Sequence, residues 1–337
     1  MNIDPPKYVL TGVGGNIGST AASYALEIAP PGSTLVFTIS DLKKLPGITI
    51  ESWKAKGVQV AEASYDDANS LKQVFAGAEA VNLISTWAFG RRHEQALNVI
   101  SAAKSCGVRR ICYTSFVGAD DPAPVDDMPF LCRDHKQTEA LIIASGLEYN
   151  IQRDYLYIDN TPSYFAPSWN FCGDQLLFNP HDTQEFGVTP EAQWLFNSHG
   201  GRGAYVSRED CGRVLAALVL GSGESNTVYN VTGPEAVTDK EVFDWICINF
   251  GVKGKLVDMP DGELREWWIR RGLPVSVTEP SSLPMKLCVD DLLCCGEMVA
   301  RGYMATTSNA VELLTGRKPV SFREVLLKYK YAFSKVQ

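Results

Sequence analysis

The stretch TGVGGNIG carries residue types that bind a phosphate group through the backbone. Gly12 permits a tight turn, Gly15 lets the main chain approach a pyrophosphate, and Gly18 allows the next helix to pack closely. Asn16 and Ile17 open that helical pattern, and amides at a helix N-terminus supply donors and positive potential for an anion. The glycines follow the apolar run KYVL, and the order strand, glycine turn, helix predicts a dinucleotide site.

The end of the second strand selects the kind of dinucleotide. An acidic side chain there favours NAD through the ribose hydroxyls, and a basic one favours NADP through the 2′-phosphate. The run TLVFTIS ends at Ser40, followed by Asp41, Lys43 and Lys44. The hydroxyl and the lysines suit a 2′-phosphate, whereas Asp41 opposes it. We therefore expect NADP as the cofactor, bound in part by Ser40 and Lys44, with NAD as the alternative.

The elements that must position these residues follow a regular order. Strand-like and helix-like runs alternate through the first half, including a helix from about Asn16 to Ile28 and a short loop that carries Lys43 and Lys44. In the second half, AYV predicts a strand before a helix capped by Ser207, and Thr238 with Glu241 predicts a capping box at a further helix. This alternation predicts a parallel sheet with right-handed crossovers, the doubly wound Rossmann-type α/β fold. We expect a dinucleotide-binding domain over residues 1–158, an aromatic-rich insert or lid over 159–200, and a smaller, mostly helical substrate region over 201–337.

Several polar and aromatic side chains follow the predicted strands at their carboxyl ends, where the crevice of such a sheet opens. Trp87 follows the fourth strand, Ser115 ends the fifth, and Tyr155 and Tyr157 follow the sixth. The two tyrosines alternate with Leu156, so both can face one side. Either one of them donates a proton or both are packing residues. The sequence further predicts aromatic substrate contacts at Trp87, Phe165, Trp169 and Trp194.

Composition excludes several classes of partner. The formal charge of −8 over 337 residues argues against nucleic acid, and no long uncharged apolar run predicts a membrane span. The nine cysteines are odd in number and form no C-x-x-C pair, which favours free thiols in a reducing, cytoplasmic compartment. The four histidines lack metal-ligand spacing, so we expect no metal. The expected partner is a hydrophobic small molecule, and a homodimer is left open.

The order of the motifs TGVGGNIG, LIST, AAKSCGVRRICYTSF, HKQTEALIIASGLEY and VSREDCGRV resembles the NmrA-like family of atypical short-chain dehydrogenase/reductases. The resemblance covers nearly the whole chain and is greatest to fungal secondary-metabolism and isoflavone-reductase-like members. It implies an NAD(P)(H)-binding enzyme with cofactor contacts at Ser64, Tyr65, Ser85 and Thr86. Relatives tend to have aspartate where this chain has Ser64.

The resemblance also raises the question of a proton donor. Short-chain dehydrogenases reduce carbonyls with a Tyr-x-x-x-Lys pair, and the chain matches this spacing at Tyr331 and Lys335 alone, after the last helical pattern. In isoflavone-reductase-like relatives a catalytic lysine lies eleven residues before the sixth-strand glycine, and here that position is His135. The resemblance therefore implies that His135 contacts the nicotinamide ribose or relays a proton, with Ser115 near the nicotinamide.

Three functions follow from these observations. The first is hydride transfer from NADP(H) to a C=N or C=C bond of a bulky, alkaloid-like or polyketide-like metabolite, because such acceptors need less proton donation than a ketone. The second is a redox-neutral cyclase or isomerase, of Pictet-Spengler or Diels-Alder type, that keeps the nucleotide structurally and uses rim carboxylates at Asp154, Asp159 or Asp174. The third is a nucleotide-sensing regulator without turnover.

Overall fold

The computed structural model describes residues 5–86, 88, 91–162, 192–251, 254–270, 272–276, 279 and 288–330. Strands and helices alternate through the first half, as the sequence predicts. Their bounds are β1 Lys7–Thr11, α1 Asn16–Ile28, β2 Thr34–Ile39, α2 Gly47–Ala55, β3 Gln59–Glu62, α3 Ala68–Phe75, β4 Ala80–Ile84, α4 Arg92–Ser105, β5 Arg110–Phe116, α5 Phe130–Ala144 and β6 Glu148–Asp154. Two short 3-10 helices span Leu42–Lys44 and Val125–Asp127.

The second half combines short strands with helices. Its elements are β7 Ala192–Phe196, β8 Arg202–Gly203, α6 Arg208–Val219, β9 Thr227–Val231, β10 Val237–Thr238, α7 Asp239–Phe250, β11 Gly254–Asp258, α8 Asp261–Arg270, α9 Val289–Ala300, α10 Ala310–Thr315 and α11 Phe322–Lys328. Within the described ranges no helix is long and apolar enough to cross a bilayer.

The main sheet of the described chain has seven strands in the order β3-β2-β1-β4-β5-β6-β9, and every pairing in it is parallel. Successive residues of β1 face opposite sides, so Leu10 packs into one apolar core and Val9 into the other. Helices cover both faces, which makes this the predicted Rossmann-type α/β fold. β9 adds a strand from the second half, whereas the three predicted domain boundaries stay a prediction.

Local signals in the sequence account for several element boundaries. α1 has the predicted bounds, and the predicted cap at Ser207 accepts a hydrogen bond from the Asp210 amide. The predicted capping box at the start of α7 is present, with Thr238 and Glu241 each bonded to the other's backbone amide. These boundaries are confirmed because their determinants lie within four residues of chain.

Two sequence expectations on local structure are wrong. The segment after β2 that carries Lys43 and Lys44 is a 3-10 helix rather than a loop, and it leads into α2, where the buried residue is Trp53 alone. A helix with so little apolar periodicity gives a weak sequence signal. The run Ala204–Val206, predicted to be a strand, forms only an isolated parallel bridge between Val206 and Tyr157, and the Ala204 amide bonds to the Met304 carbonyl.

α1 and α6 cover the same face of the sheet and touch at Gly212. A β-carbon built on Gly212 would lie 2.6 Å from the Thr20 β-carbon and 2.8 Å from the Ile17 carbonyl oxygen. The absence of a side chain therefore sets how closely the two helices approach. Since Ile17 lies in the first turn of α1, this contact also fixes the helix end beside the glycine loop.

We predict that Gly212→Ala lowers the free energy of unfolding by roughly 1–3 kcal/mol, because overpacking forces two helices apart. Chemical denaturation monitored by circular dichroism measures this change. Gly262→Ala in α8 is the matched control, since no atom lies within 4 Å of its added β-carbon. An equal stability for the Gly212 variant and the control would contradict the proposed close contact.

Candidate active site

The glycine loop between β1 and α1 has the conformation that the sequence predicts. Gly12 has a φ of +69°, in the left-handed region that favours glycine. Its carbonyl accepts a hydrogen bond from the Gly15 amide at 3.0 Å, which closes the turn. A β-carbon on Gly18 would lie 2.0 Å from the Gly12 carbonyl oxygen, so the helix packs directly on the turn. The loop backbone is therefore open on its outer side to a ligand.

The N-terminus of α1 offers uncapped donors to that ligand. Gly15 is the N-cap residue and no side chain caps the helix, which also lacks an acidic residue in its first turn. By contrast, α6, α7 and α11 are capped by Ser207, Thr238 and Ser321. Free amides and a positive helix end suit a pyrophosphate bound at Asn16 and Ile17.

The end of β2 presents a cationic surface. Ser40 is exposed, and the Asp41 carboxylate turns back to accept the Lys43 amide at 2.9 Å, capping the 3-10 helix. The side chains of Lys43 and Lys44 are exposed, and neither is in an ion pair within the described part of the chain. Asp41 is thus engaged with backbone, while both ammonium groups can bind an anion.

Ser64 and Tyr65, two of the expected cofactor contacts, serve the fold in different ways. The Tyr65 hydroxyl lies 2.5 Å from Thr11 Oγ1 and accepts the Ile84 amide at 3.0 Å, so it links β1 and β4 at their carboxyl ends. Ser64 is half-buried and its hydroxyl accepts the Asp66 amide at 3.2 Å. Their contact with a cofactor stays a prediction.

A polar cluster lies beyond the carboxyl ends of β4 and β5, centred on Arg92 at the start of α4. Arg92 donates to the Thr86 carbonyl at 2.5 Å and to Asp134 Oδ2 at 2.7 Å. The Thr86 hydroxyl donates to Gln95, and the Ser85 amide donates to the Thr114 hydroxyl. Ser85 and Thr86 therefore lie beside this cluster, and one guanidinium joins the β4 exit to α5. Their contact with a cofactor stays a prediction.

His135 belongs to this cluster and is 4% exposed. Its Nδ1 lies 2.8 Å from the Tyr113 hydroxyl, and its Nε2 lies 3.4 Å from Arg92 Nη1. Because arginine only donates, Nε2 accepts and Nδ1 carries the proton. Burial, with the charge of Arg92 as the second cause, holds the His135 pKa well below its ordinary value. The imidazole is therefore neutral, and its predicted contact with the nicotinamide ribose stays a prediction.

Ser115 lies in a buried network beneath the crevice. Its hydroxyl donates to Glu139 Oε1 at 2.5 Å, and Arg153 binds both oxygens of the same carboxylate at 2.9 and 2.7 Å. Arg153 also pairs with Asp120 at 2.7 Å. The network ties α5 to β6 and to the loop after β5. A catalytic role for Ser115 stays a prediction, and the structure gives its hydroxyl a positioning contact.

The two tyrosines after β6 have different surroundings. The Tyr157 hydroxyl donates to Asp154 Oδ2 at 2.9 Å, and burial together with that carboxylate raises the Tyr157 pKa well above its ordinary value. Asp154 itself is fully buried rather than at the rim, and burial raises its pKa to about 7. Tyr155 is 2% exposed, with its hydroxyl 3.3 Å from Thr306 Oγ1. Both catalytic assignments stay predictions.

Of the predicted aromatic substrate contacts, Trp194 is described. It lies in β7 and borders a mainly apolar pocket, together with Trp268, Leu264 and Leu292. Leu156, directly after β6, lines the same pocket, which places it beside the carboxyl end of the sheet. Trp87, Phe165, Trp169, Asp174, Tyr331 and Lys335 lie outside the described residues. Asp159, one of the carboxylates predicted at the rim, accepts hydrogen bonds from the Arg208 amide and the Tyr329 hydroxyl.

Sequence reasoning missed Arg92, Asp134 and Tyr113 as members of the site. Their partners lie 22 to 43 residues away along the chain, so no local spacing relates them. The one available signal is the pair of arginines after the fourth strand, where a cation near strand carboxyl ends suggests a buried ion pair. The position of Arg92 over α5 comes from helix packing alone.

Comparisons with known proteins agree with this geometry. Residues 12–164 match the family described as NAD(P)H-binding. The chain is 28% identical to quinone oxidoreductase 2 of Escherichia coli over 229 residues, 68% of this chain and 69% of that protein. It is 21% identical to an NmrA-like family domain-containing oxidoreductase of Aspergillus flavus over 326 residues, 95% of this chain and 94% of that protein.

The crystal structure of an NADPH-dependent quinone oxidoreductase from Escherichia coli complexed with NADPH has the same fold, with a TM-score of 0.75 at 23% identity. The superposition covers 95% of this chain and 99% of that chain. This likeness shows that the chain shares the Rossmann fold of that structure. Residues 12–164 are similar to NAD(P)H-binding domains, and the relatives that the chain resembles include a quinone oxidoreductase and an NmrA-like oxidoreductase, whereas its membership of the NmrA-like family stays a prediction.

We predict that Gly18→Ala raises the dissociation constant for NADPH by at least about tenfold, equivalent to about 1.4 kcal/mol, because its β-carbon displaces the turn that holds the pyrophosphate. Isothermal titration calorimetry measures the change. Gly47→Ala is the control, since no atom lies within 4 Å of its β-carbon. Unchanged affinity in a folded Gly18 variant would contradict the assignment of this loop.

Proposed function

We propose that the protein is an NADPH-dependent reductase that transfers hydride to a conjugated C=C or C=N bond of a bulky hydrophobic metabolite. The observation that carries this proposal is a complete dinucleotide loop beside a polar cluster whose imidazole is neutral and buried. Such a site can orient a cofactor and an acceptor, but among the described residues it contains no tyrosine hydrogen-bonded to a lysine of the kind that ketone reduction needs.

The described tyrosines near the crevice support this choice of acceptor. Burial raises the pKa of Tyr113 and of Tyr157, and neither has a lysine among its hydrogen-bond partners. A phenol with a raised pKa is a weak proton donor. Conjugated acceptors spread the developing negative charge over several atoms, so they require less proton transfer in the transition state than a simple ketone.

Different residues of the site have different proposed roles. Bound NADPH would supply the hydride, held by the loop amides around Gly15 and by the end of α1. Asp134 neutralises Arg92, and Arg92 fixes the Thr86 carbonyl and the His135 ring beside the strand ends. Preorganised dipoles of this kind stabilise charge that develops in the acceptor without moving themselves.

The hydrophobic character of the acceptor is inferred from the pocket next to β6. Its walls are mainly aromatic and aliphatic, which suits an apolar ligand. The similarity to a quinone oxidoreductase and to an NmrA-like oxidoreductase supports a flat, conjugated substrate. A role in secondary metabolism is part of this proposal and rests on the same hydrophobic, conjugated acceptor.

We expect rapid loss of the reduced-nicotinamide absorbance when the protein, NADPH and a neutral conjugated enone or imine are mixed in a stopped-flow instrument. The matched saturated ketone should react at least about 100-fold more slowly, since it requires full proton donation. Equal rates with enone and ketone would contradict the proposed acceptor class, and no oxidation with any conjugated acceptor would contradict the reductase.

NADPH is proposed over NADH because Asp41 is engaged in capping while Lys43 and Lys44 are exposed. We predict that Lys44→Ala raises the dissociation constant for NADPH about three- to fivefold at low ionic strength, the effect of one exposed ion pair, and leaves that for NADH unchanged. Fluorescence titration of both nucleotides measures this. Lys56→Ala, another exposed lysine, is the control. A similar loss for NADH would argue against a 2′-phosphate contact.

A further inference from the structure

α9 of the second half lies across the carboxyl end of β5. The Met298 side chain contacts Cys132 of α5, and a β-carbon on Gly118, two residues beyond β5, would meet Met298 at 2.7 Å. Asp291 is seven residues before Met298, which is about two helical turns, so both side chains lie on the same face of α9. Asp291 therefore lies on the buried face of α9, the face that packs against α5, rather than toward solvent.

Asp291 is a buried carboxyl group, 7% exposed, and no residue in the described ranges donates a hydrogen bond to it. The cation that acts on it is Arg92, whose hydrogen bonds join the Thr86 carbonyl, Asp134 and His135. Buried carboxyl groups are normally paired or hydrogen-bonded, because an unsatisfied one costs folding free energy. Its free oxygens are therefore available to a bound molecule.

Other carboxyl and hydroxyl groups near these strand ends are already engaged. Asp134 is paired with Arg92, and Glu139 is bound by Arg153 and Ser115. Asp154 is sealed beneath α6 with Gln152 and Tyr157 as donors. Asp291 differs from all of these in having no hydrogen-bond donor among the described residues, so its proton can be transferred without breaking a protein hydrogen bond.

We propose that Asp291 is the catalytic acid of the reduction and that the substrate is accordingly a neutral conjugated acceptor, an enone or an uncharged imine. This inference rests on the reductase function proposed above. It assigns the proton donor to α9 rather than to α5 or to the residues after β6.

The proposed step balances as follows. Hydride from the reduced nicotinamide forms a new C–H bond at the electron-poor carbon, and the π electron pair moves to the conjugated oxygen or to the imine nitrogen. Asp291 gives its proton to that atom and becomes a carboxylate, which Arg92 stabilises by charge. Water then returns a proton to Asp291. The substrate gains two electrons and two hydrogens, and the nicotinamide is oxidised.

Several titratable groups face Asp291. They are Arg92 from α4, which is itself bound to Asp134 and His135 of α5, and the thiols of Cys288 at the start of α9 and of Cys294 and Cys295 within it. Burial raises the pKa of each thiol, so the thiols stay neutral. Burial raises the Asp291 pKa to about 6, with the charge of Arg92 opposing the rise. An acid must be protonated to act, so the rate should fall as pH rises through that value.

The test compares two acceptors with different proton requirements. A neutral enone needs hydride and a proton, whereas a triarylmethyl cation dye needs hydride alone. We expect Asp291→Asn to slow enone reduction about 100-fold and to leave dye reduction within about threefold of wild type. Asp290→Asn is the matched control, because that neighbouring carboxylate pairs with Arg265 outside this cluster. Asp291→Glu should restore part of the enone rate.

Two further measurements keep the result independent of a folding defect. In the wild-type enzyme, the enone rate should decrease above a pKa of about 6 while the dye rate stays flat. Without nucleotide, an infrared difference spectrum between wild type and Asp291→Asn should show a protonated carboxyl band that titrates in the same range. Equal effects on both acceptors, or none, would overturn the role of Asp291. Wild-type inactivity with both acceptors would overturn the reductase function itself.

Discussion

The parallel pairing of β1 with both β2 and β4 is the constraint on which the rest of the structure depends. β2 and β3 are added on one side of β1, and β4, β5 and β6 are added on the other side. The connections that follow β1 and β4 therefore run in opposite directions. A crevice must open between them at the carboxyl edge. The glycine turn, the β4 exit and the start of α5 all reach this one edge, although they are far apart in sequence.

Within that crevice a single guanidinium organises the polar groups. Arg92 spans from the Thr86 carbonyl to Asp134 and His135, and its charge acts on Asp291 as well. Burial lowers the pKa of His135 and raises that of Asp291, and the charge of Arg92 adds to the first shift and opposes the second. One cation therefore favours a neutral imidazole and an ionised carboxyl group.

The features that sequence reasoning predicted are those that depend on a few consecutive residues. The turn at Gly12, the bounds of α1 and the capping box at Thr238 each require specific residues at short spacing, and each is present. The alternation of strands and helices likewise predicts the order of elements and hence the fold class. By contrast, α2 has one buried residue and therefore gave no periodic signal.

The sequence by itself determined that a dinucleotide loop opens a doubly wound sheet, because chain-local sterics and hydrogen bonding dictate both. It also predicted which residues lie at the strand ends, but it did not predict which way their hydroxyl groups point. Tertiary structure alone decided that the Tyr157 hydroxyl turns inward to Asp154 and that Asp291, on a helix far along the chain, is buried within range of the charge of Arg92. Such contacts depend on how helices pack across the sheet, and packing joins residues whose separation along the chain carries no information about their proximity.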